Sequence, residues 1–170
     1  LQYTEERFQY FHQLVDRYES YDGVTNIKTI NDNAGVAPVE VSDDLFEFLQ
    51  CCIEWCEKSH GQVNIALGPV LEIWHDYREQ FENASEGALP PEEELAQANL
   101  LTDLQKVQLD SEAKMVFLTE KGMSLDVGAL AKGYTTEKVG KELFDMGFDS
   151  FCISSGGNIR TFSAPADADR

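Results

Sequence analysis

Helix-period and strand-period segments alternate along this 170-residue chain, one pair of strands is spaced closely enough to form a hairpin, and 42% of the residues are apolar. Together these predict an α+β fold, a mixed or antiparallel sheet with flanking helices, rather than a doubly wound parallel sheet. The length suits about one domain, and the apolar content suffices for a packed core. Strands toward the C-terminal edge lack evident partners in the chain, so the sheet is expected to be incomplete there. Residues 1–163 read as the domain and residues 164–170 as a polar tail.

The first helix is expected over residues 4–21, because Phe8, Phe11, Leu14, Val15 and Tyr18 recur at helical spacing. Asp22-Gly23 would stop it. Asn31-Asp32-Asn33-Ala34-Gly35 reads as a turn or loop. Ser42 looks like an N-cap, followed by Asp43 and Asp44 in the first turn, where carboxylates suit the helix dipole. That helix carries Leu45, Phe46, Leu49, Cys52, Ile53 and Cys56 toward a core and ends near His60-Gly61.

Residues 63–67 read as a short strand, and Gly68-Pro69 opens a further helix with Leu71 and Trp74. Residues 83–91 form a surface loop, and Pro91 before three glutamates starts another helix. Residues 107–109 and 115–118 form a hairpin around Asp110-Ser111. Met123-Ser124-Leu125 is a strand leading to Asp126-Val127-Gly128, and a helix follows from about residue 129 to 146. Residues 150–154 and 159–162 are strands joined by a turn at Ser155-Gly156-Gly157-Asn158.

Thirteen basic residues face 31 acidic ones, a net charge of -18. Such a surface repels phosphate backbones and anionic lipid, so neither nucleic acid nor charge-driven membrane docking is expected. An anionic ligand would need a local positive patch or a metal. No apolar run approaches the ~20 residues of a membrane span. The four cysteines contain no CxxC, and Cys51, Cys52 and Cys56 lie in one helix, where i,i+4 geometry rarely suits a disulfide. They read as buried free thiols packing as small hydrophobes. His12, His60 and His75 are isolated and lack ligand spacing.

Four constellations could carry chemistry. In residues 124–134 a strand delivers Asp126, small residues permit close backbone approach, and a helix begins. The helix start offers unpaired N–H groups to a phosphate. Carbonyls in the turn before it suit a hard cation such as magnesium. Lys132, six residues after Asp126, is within reach of a phosphate. An ordinary strand-to-helix connection would use the same residues. Ser155-Gly156-Gly157-Asn158 could approach a phosphate or ribose through backbone, or could simply be a tight hairpin. On a strand, Gln62 and Asn64 would share a face and could bond a heterocycle edge, or lie half exposed. Tyr3, Tyr18 and Tyr21 could sandwich a flat ring or pack in the core.

Taken in this order, the blocks resemble the FAD:protein FMN transferase family, the ApbE-type proteins. The most specific part is residues 125–134 joined to Ser155-Gly156-Gly157-Asn158, with support from Gly68-Pro69, Trp74, Asn31, Gly35, Pro38-Val39 and Val41-Ser42. The resemblance runs through almost the whole chain. It implies binding of FAD, use of Mg2+, attack of an acceptor threonine on the FMN phosphorus, and departure of AMP. It implies that Ala129 gives its backbone carbonyl to the metal and that Asp126 and Lys132 contact FAD as the catalytic pair. Tyr21, Gln62, Val63 and Asn64 would line the FAD site along with Ser155, Gly156, Gly157 and Asn158.

Two departures qualify this. The family's usual Asp-Gly-Ala-Phe-Asp run reads His60-Gly61-Gln62-Val63-Asn64 here, replacing two carboxylates. The family's remaining metal ligands, an aspartate and a threonine, fall in a segment beyond residue 170, so the chain alone is expected to have little or no transferase activity. The partner implied is an acceptor flavoprotein. The location implied is outside the cytoplasm, on a lipid anchor that this chain does not show. An FAD pyrophosphatase, with water as the attacker, or a non-catalytic flavin-binding module would use the same pocket.

Overall fold

A computed structural model describes residues 2–82 and 87–164. The helices follow local signals closely where a cap is encoded. Helix α1 runs Gln2–Val15 and buries Phe11 and Leu14. It ends six residues before the expected 21, because the Asp16 carboxylate accepts hydrogen bonds from the backbone N–H groups of Tyr18 (2.7 Å) and Glu19 (3.1 Å). A short acidic side chain thus offers the backbone a turn in place of another helical bond. Tyr18 falls off the apolar face as a result and is 57% exposed.

Helix α2, Ile27–Asp32, forms where the expected loop over 31–35 begins. Asn26 caps it through a reciprocal pair with Thr29, and the Asn26 amide also reaches the Glu19 carbonyl at 2.8 Å. Asn followed three residues later by Thr is a capping signal weaker than the usual Ser/Thr and Glu/Gln pair. Helix α3, Asp43–Lys58, starts at the expected Ser42 cap and buries Leu45, Phe46, Phe48, Leu49, Cys52 and Cys56. Burying each large apolar side chain is worth about 1.5–3 kcal/mol, so this one helix supplies a large share of the core.

Helix α4, Gly68–Phe81, opens with Pro near its first position as expected, but its only buried residue is Gly68. Leu71 and Trp74 are 41% and 43% exposed, not core residues. Gly68 is small for a steric reason. A Cβ there would collide with Ser124, lying 2.7 Å from its carbonyl carbon. Helix α5 spans Glu92–Asn99 after Pro91. Of the expected loop over 83–91, residues 83–86 lie outside the described residues.

Strands β1 (Val39–Glu40), β2 (Val107–Asp110) and β3 (Met115–Leu118) form an antiparallel sheet in the order β1-β3-β2. The hairpin β2–β3 is the expected one, in the register Val107↔Leu118 to Asp110↔Met115. Strand β1 is too short to show a period in sequence. Helix α6, Gly128–Asp145, follows, then the hairpin of β4 (Phe151–Ser155) and β5 (Asn158–Phe162), paired from Phe151↔Phe162 to Ser155↔Asn158. Its turn carries Gly156 and Gly157 at φ 53 and 97, the positive-φ pair that a two-residue hairpin turn requires.

Two expected strands are not strands. Residues 65–67 form a 3₁₀ turn with Asn64 as its N-cap, because the Asn64 side chain bonds the Ala66 backbone N–H at 2.8 Å. Residues 123–127 keep strand-like alternation, with Met123, Leu125 and Val127 buried, but no strand is assigned there. Their backbone is held otherwise. The Asn31 side chain accepts from Leu125 N–H at 2.7 Å and donates to Leu125 C=O at 3.1 Å. Asp126 N–H donates to the Ile65 carbonyl at 2.8 Å. Cys52 and Cys56 are buried free thiols as expected, whereas Cys152 is exposed.

Removing the Asn31 amide leaves both polar groups of a fully buried residue unpaired, at about 1–3 kcal/mol each. Asn31→Ala should therefore destabilise the chain by about 2–6 kcal/mol. Asp32→Ala, which breaks only an exposed ion pair with Lys28, should shift it by no more than about 1 kcal/mol. Urea unfolding of the two variants side by side makes the comparison, and equal midpoints would remove the Asn31 clamp from the account.

Candidate active site

The bend between Leu125 and α6 is set by hydrogen bonds from three directions. Asn31 fixes Leu125, Ile65 fixes the Asp126 backbone, and the Asp126 carboxylate accepts from Gly128 N–H at 3.0 Å, covering one of the open N–H groups of α6. The other carboxylate oxygen of Asp126 pairs with Arg17 at 2.8 Å. Arg17 is 10% exposed and also lies 3.5 Å from Glu72. Sequence reading did not single out Arg17. Nothing local marks it, since the pair spans 109 positions.

Two adjoining hollows meet here. One, about 280 Å³, is lined by Phe8, His12, Gly128, Lys132, Thr135 and Ser155 among others. The other, about 340 Å³, is lined by His12, Asp16, Arg17, Tyr18, Asp126 and Gly128 among others. They share His12, Val15 and Gly128, so they form one groove between the C-terminal part of α1 and the N-terminal end of α6. The β4–β5 turn borders it through Ser155. A Cβ on Gly156 would lie 3.8 Å from Lys132 Cδ, and one on Gly133 would lie 3.6 Å from Asn158 Oδ1. The structure thus brings Asp126, Lys132, Ser155 and Gly156 into one neighbourhood; Asn158, in the same turn as Gly157, lies beside Gly133, which lines a different cleft.

Tyr21 reaches the groove through Asp16, to which its hydroxyl donates at 2.6 Å. This bond raises the Tyr21 hydroxyl above its ordinary value. Burial pushes the Asp16 carboxyl up, but the Tyr21 hydroxyl and the N–H groups of Tyr18 and Glu19 outweigh it and hold the carboxyl below its ordinary value. Asp16 is thereby held ionised at the groove wall.

Other expected site residues sit elsewhere. Gln62 is exposed, and Val63 packs against the core. Asn64 spends its amide on the backbone, capping Ala66 and donating to the Thr102 carbonyl at 2.8 Å. The shared strand face expected of Gln62 and Asn64 does not exist, because residues 61–64 run through turns and bends into the 3₁₀ turn that Asn64 caps. Tyr3 and Tyr21 do not form a sandwich, as Tyr3 donates to Glu142 at 2.9 Å. Ala129 is the second residue of α6, which starts one residue before the expected 129. In an α-helix its carbonyl is directed along the axis at the residue four on. Ala129 lines a separate apolar cleft of about 330 Å³ on another face of α6, with Cys51, Cys52, Trp55, Leu130 and Tyr134. Burial raises the Cys52 thiol and pushes the Tyr134 hydroxyl up to about 12, so neither ionises at neutral pH.

A magnesium ion wants about six oxygens in octahedral array. Among the described residues no group of three or more His, Cys, Asp or Glu gathers as a cation site, and Asp126 is already engaged by Arg17 and Gly128. No helix among the described residues is long and apolar enough to cross a membrane.

The ApbE family model matches residues 2–169. An FAD:protein FMN transferase from Klebsiella pneumoniae (strain 342) is 34% identical over 153 residues, 88% of this chain and 46% of that protein. One from Treponema pallidum is 33% identical over 138 residues, 78% of this chain and 36% of that protein. The crystal structure of the ApbE protein of Thermotoga maritima superimposes with a TM-score of 0.78 at 20% identity, covering 96% of this chain and 50% of that one. The flavin transferase ApbE of Vibrio cholerae gives 0.81 at 17% identity, covering 98% and 51%. The chain spans about half the length of the relatives it matches, or less.

The Asp16 geometry fixes a pH dependence. Its carboxyl titrates lower in the native state than in the unfolded chain, so the unfolded chain takes up the proton first as pH falls. The resulting stability is full above the unfolded value, about 3.9, and is lost as pH drops through the lower native value. Asp16→Asn should therefore be less stable than wild type at pH 7, with the gap closing in acid. Stability curves that stay parallel from neutral pH to acid would show that the carboxylate contributes nothing.

Proposed function

Because this chain belongs to the ApbE family, we propose that it forms the part of an FAD:protein FMN transferase that grips the diphosphate of FAD. The observation that carries this reading is the groove at the start of α6. Asp126, Lys132 and the β4–β5 turn converge there from separate parts of the chain. In a chain of net charge -18, the groove places two cationic side chains, Arg17 and Lys132, next to a helix N-terminus, a combination that suits a phosphate.

On this reading the hydroxyl of a threonine in an acceptor flavoprotein attacks the phosphorus that bears the riboflavin portion. The bond from that phosphorus to the AMP oxygen breaks, FMN becomes an ester of the threonine, and AMP leaves. Lys132 offsets the negative charge that builds on the phosphoryl oxygens, and the groove positions the diphosphate. Asp126, fixed by Arg17 and by the α6 cap, orients the substrate at the bend. Magnesium dependence belongs to the proposal through the family resemblance. Ligands for the ion would come largely from residues outside this chain, and the lipid anchor and extracytoplasmic location of the parent protein are proposed on the same footing.

The test uses the full-length protein with FAD, magnesium and an acceptor flavoprotein. Covalent, fluorescent FMN on the acceptor supports the transferase. Free FMN with AMP and no labelled acceptor supports hydrolysis, and tight FAD binding without turnover supports a carrier. Asp126→Ala should weaken FAD binding about tenfold or more while the fold persists, and Lys132→Ala should lower turnover on the order of 10²-fold, as loss of a group that stabilises transition-state charge does. Wild-type kinetics in both variants would overturn the site assignment.

A further inference from the structure

We propose that Tyr18 is a stacking platform at the outer end of the groove for one of the planar heteroaromatic rings of the dinucleotide. This rests on the FAD-binding reading above and adds a subsite to it. Tyr18 lines the same hollow as Arg17, Asp126 and Gly128, while Lys132 and Ser155 line the adjoining one. A dinucleotide carries a flat ring on each side of its diphosphate. A diphosphate at the α6 start therefore leaves one ring to extend toward Tyr18.

The ring is exposed but not loose. Tyr18 is 57% exposed, yet its backbone N–H is held by Asp16 at 2.7 Å. Its ring lies against His75 with centroids 5.6 Å apart and planes tilted by 36°. The Arg17 guanidinium carbon lies 5.3 Å from the ring centroid, and Arg17 is itself anchored by Asp126 at 2.8 Å. A large aromatic ring fixed by three neighbours and open to solvent at a groove mouth loses little freedom on binding another ring. The same Arg17 that orients Asp126 also orients the platform, so ring and diphosphate positions are coupled through one side chain. Nothing in the packing of the core requires Tyr18, because α1 has already ended at Val15.

The test is titration of the full-length protein, wild type and variants, with FAD, FMN and ADP. Tyr18→Ala and Tyr18→Leu should raise the Kd for FAD by about 5- to 150-fold, the loss expected when one ring-on-ring stack is removed. Tyr18→Phe and Tyr18→Trp should stay within about threefold of wild type, since both keep a π-face. Urea midpoints of all four should match wild type, which separates loss of the platform from loss of the fold. If ADP weakens in parallel with FAD and FMN does not, the platform takes the adenine; the opposite pattern assigns it to the flavin. Affinities within twofold of wild type for all three ligands in Tyr18→Ala overturn the platform and leave the transferase reading standing. Failure of the wild-type protein to bind FAD at all overturns both.

Discussion

A single side-chain amide does for residues 123–127 what a sheet ladder does for a strand. Asn31 takes the Leu125 N–H and gives a proton to the Leu125 carbonyl, and Leu125 is completely buried. A buried backbone without such partners is too costly to persist. The clamp therefore allows an extended segment to cross the core with no neighbouring strand. Everything that follows in the chain inherits its position. Asp126 is placed against Ile65, its carboxylate is presented to Arg17 and to Gly128, and α6 starts in the one direction that faces α1. The contact of Gly68 with Ser124 guards the same crossing from the opposite side.

Helix α6 is used on two faces. One looks into the groove with Gly128, Lys132 and Thr135. The other lines the apolar cleft against α3 with Leu130, Gly133 and Tyr134. Its C-terminal half is tied down by charge. Glu142 accepts from Arg7 and Tyr3, Arg7 also meets Asp44 at 3.1 Å, and Lys138 meets Glu47 at 2.7 Å. Arg7 also lies 4.9 Å from the ring centres of Tyr10 and Phe11. Single exposed ion pairs contribute about 0–1 kcal/mol, but this network joins α1, α3 and α6 and sets their mutual orientation more than their stability. Glu137, paired with Arg160, has its carboxyl held below its ordinary value by that partner, and it ties β5 onto the same helix.

The groove assembles opposed charges rather than a simple positive patch. Asp16, Asp126 and Glu72 stand beside Arg17 and Lys132. Such a site discriminates by geometry.

Local chemistry made much of this legible in sequence. Ser42 before two aspartates marked α3, Gly68-Pro69 marked α4, Pro91 marked α5, the paired glycines marked the β4–β5 turn, and Asp126 with Lys132 marked the bend. These signals act within a few residues of one another, so they survive without knowledge of the fold. Where sequence reading went astray, a side chain had bonded backbone in a way that periodicity does not record. Asp16 ended α1 early and freed Tyr18, Asn64 turned an expected strand into a 3₁₀ turn, and Asn26 capped α2, a helix that runs two residues into an expected loop. The sequence by itself determined the α+β class, most helix starts and the order of the family's motifs. Only the tertiary structure decided that Arg17 meets Asp126, that Asn31 holds Leu125, and that Gln62 and Asn64 stay out of the groove, because contacts between residues about a hundred positions apart leave no periodic trace along the chain.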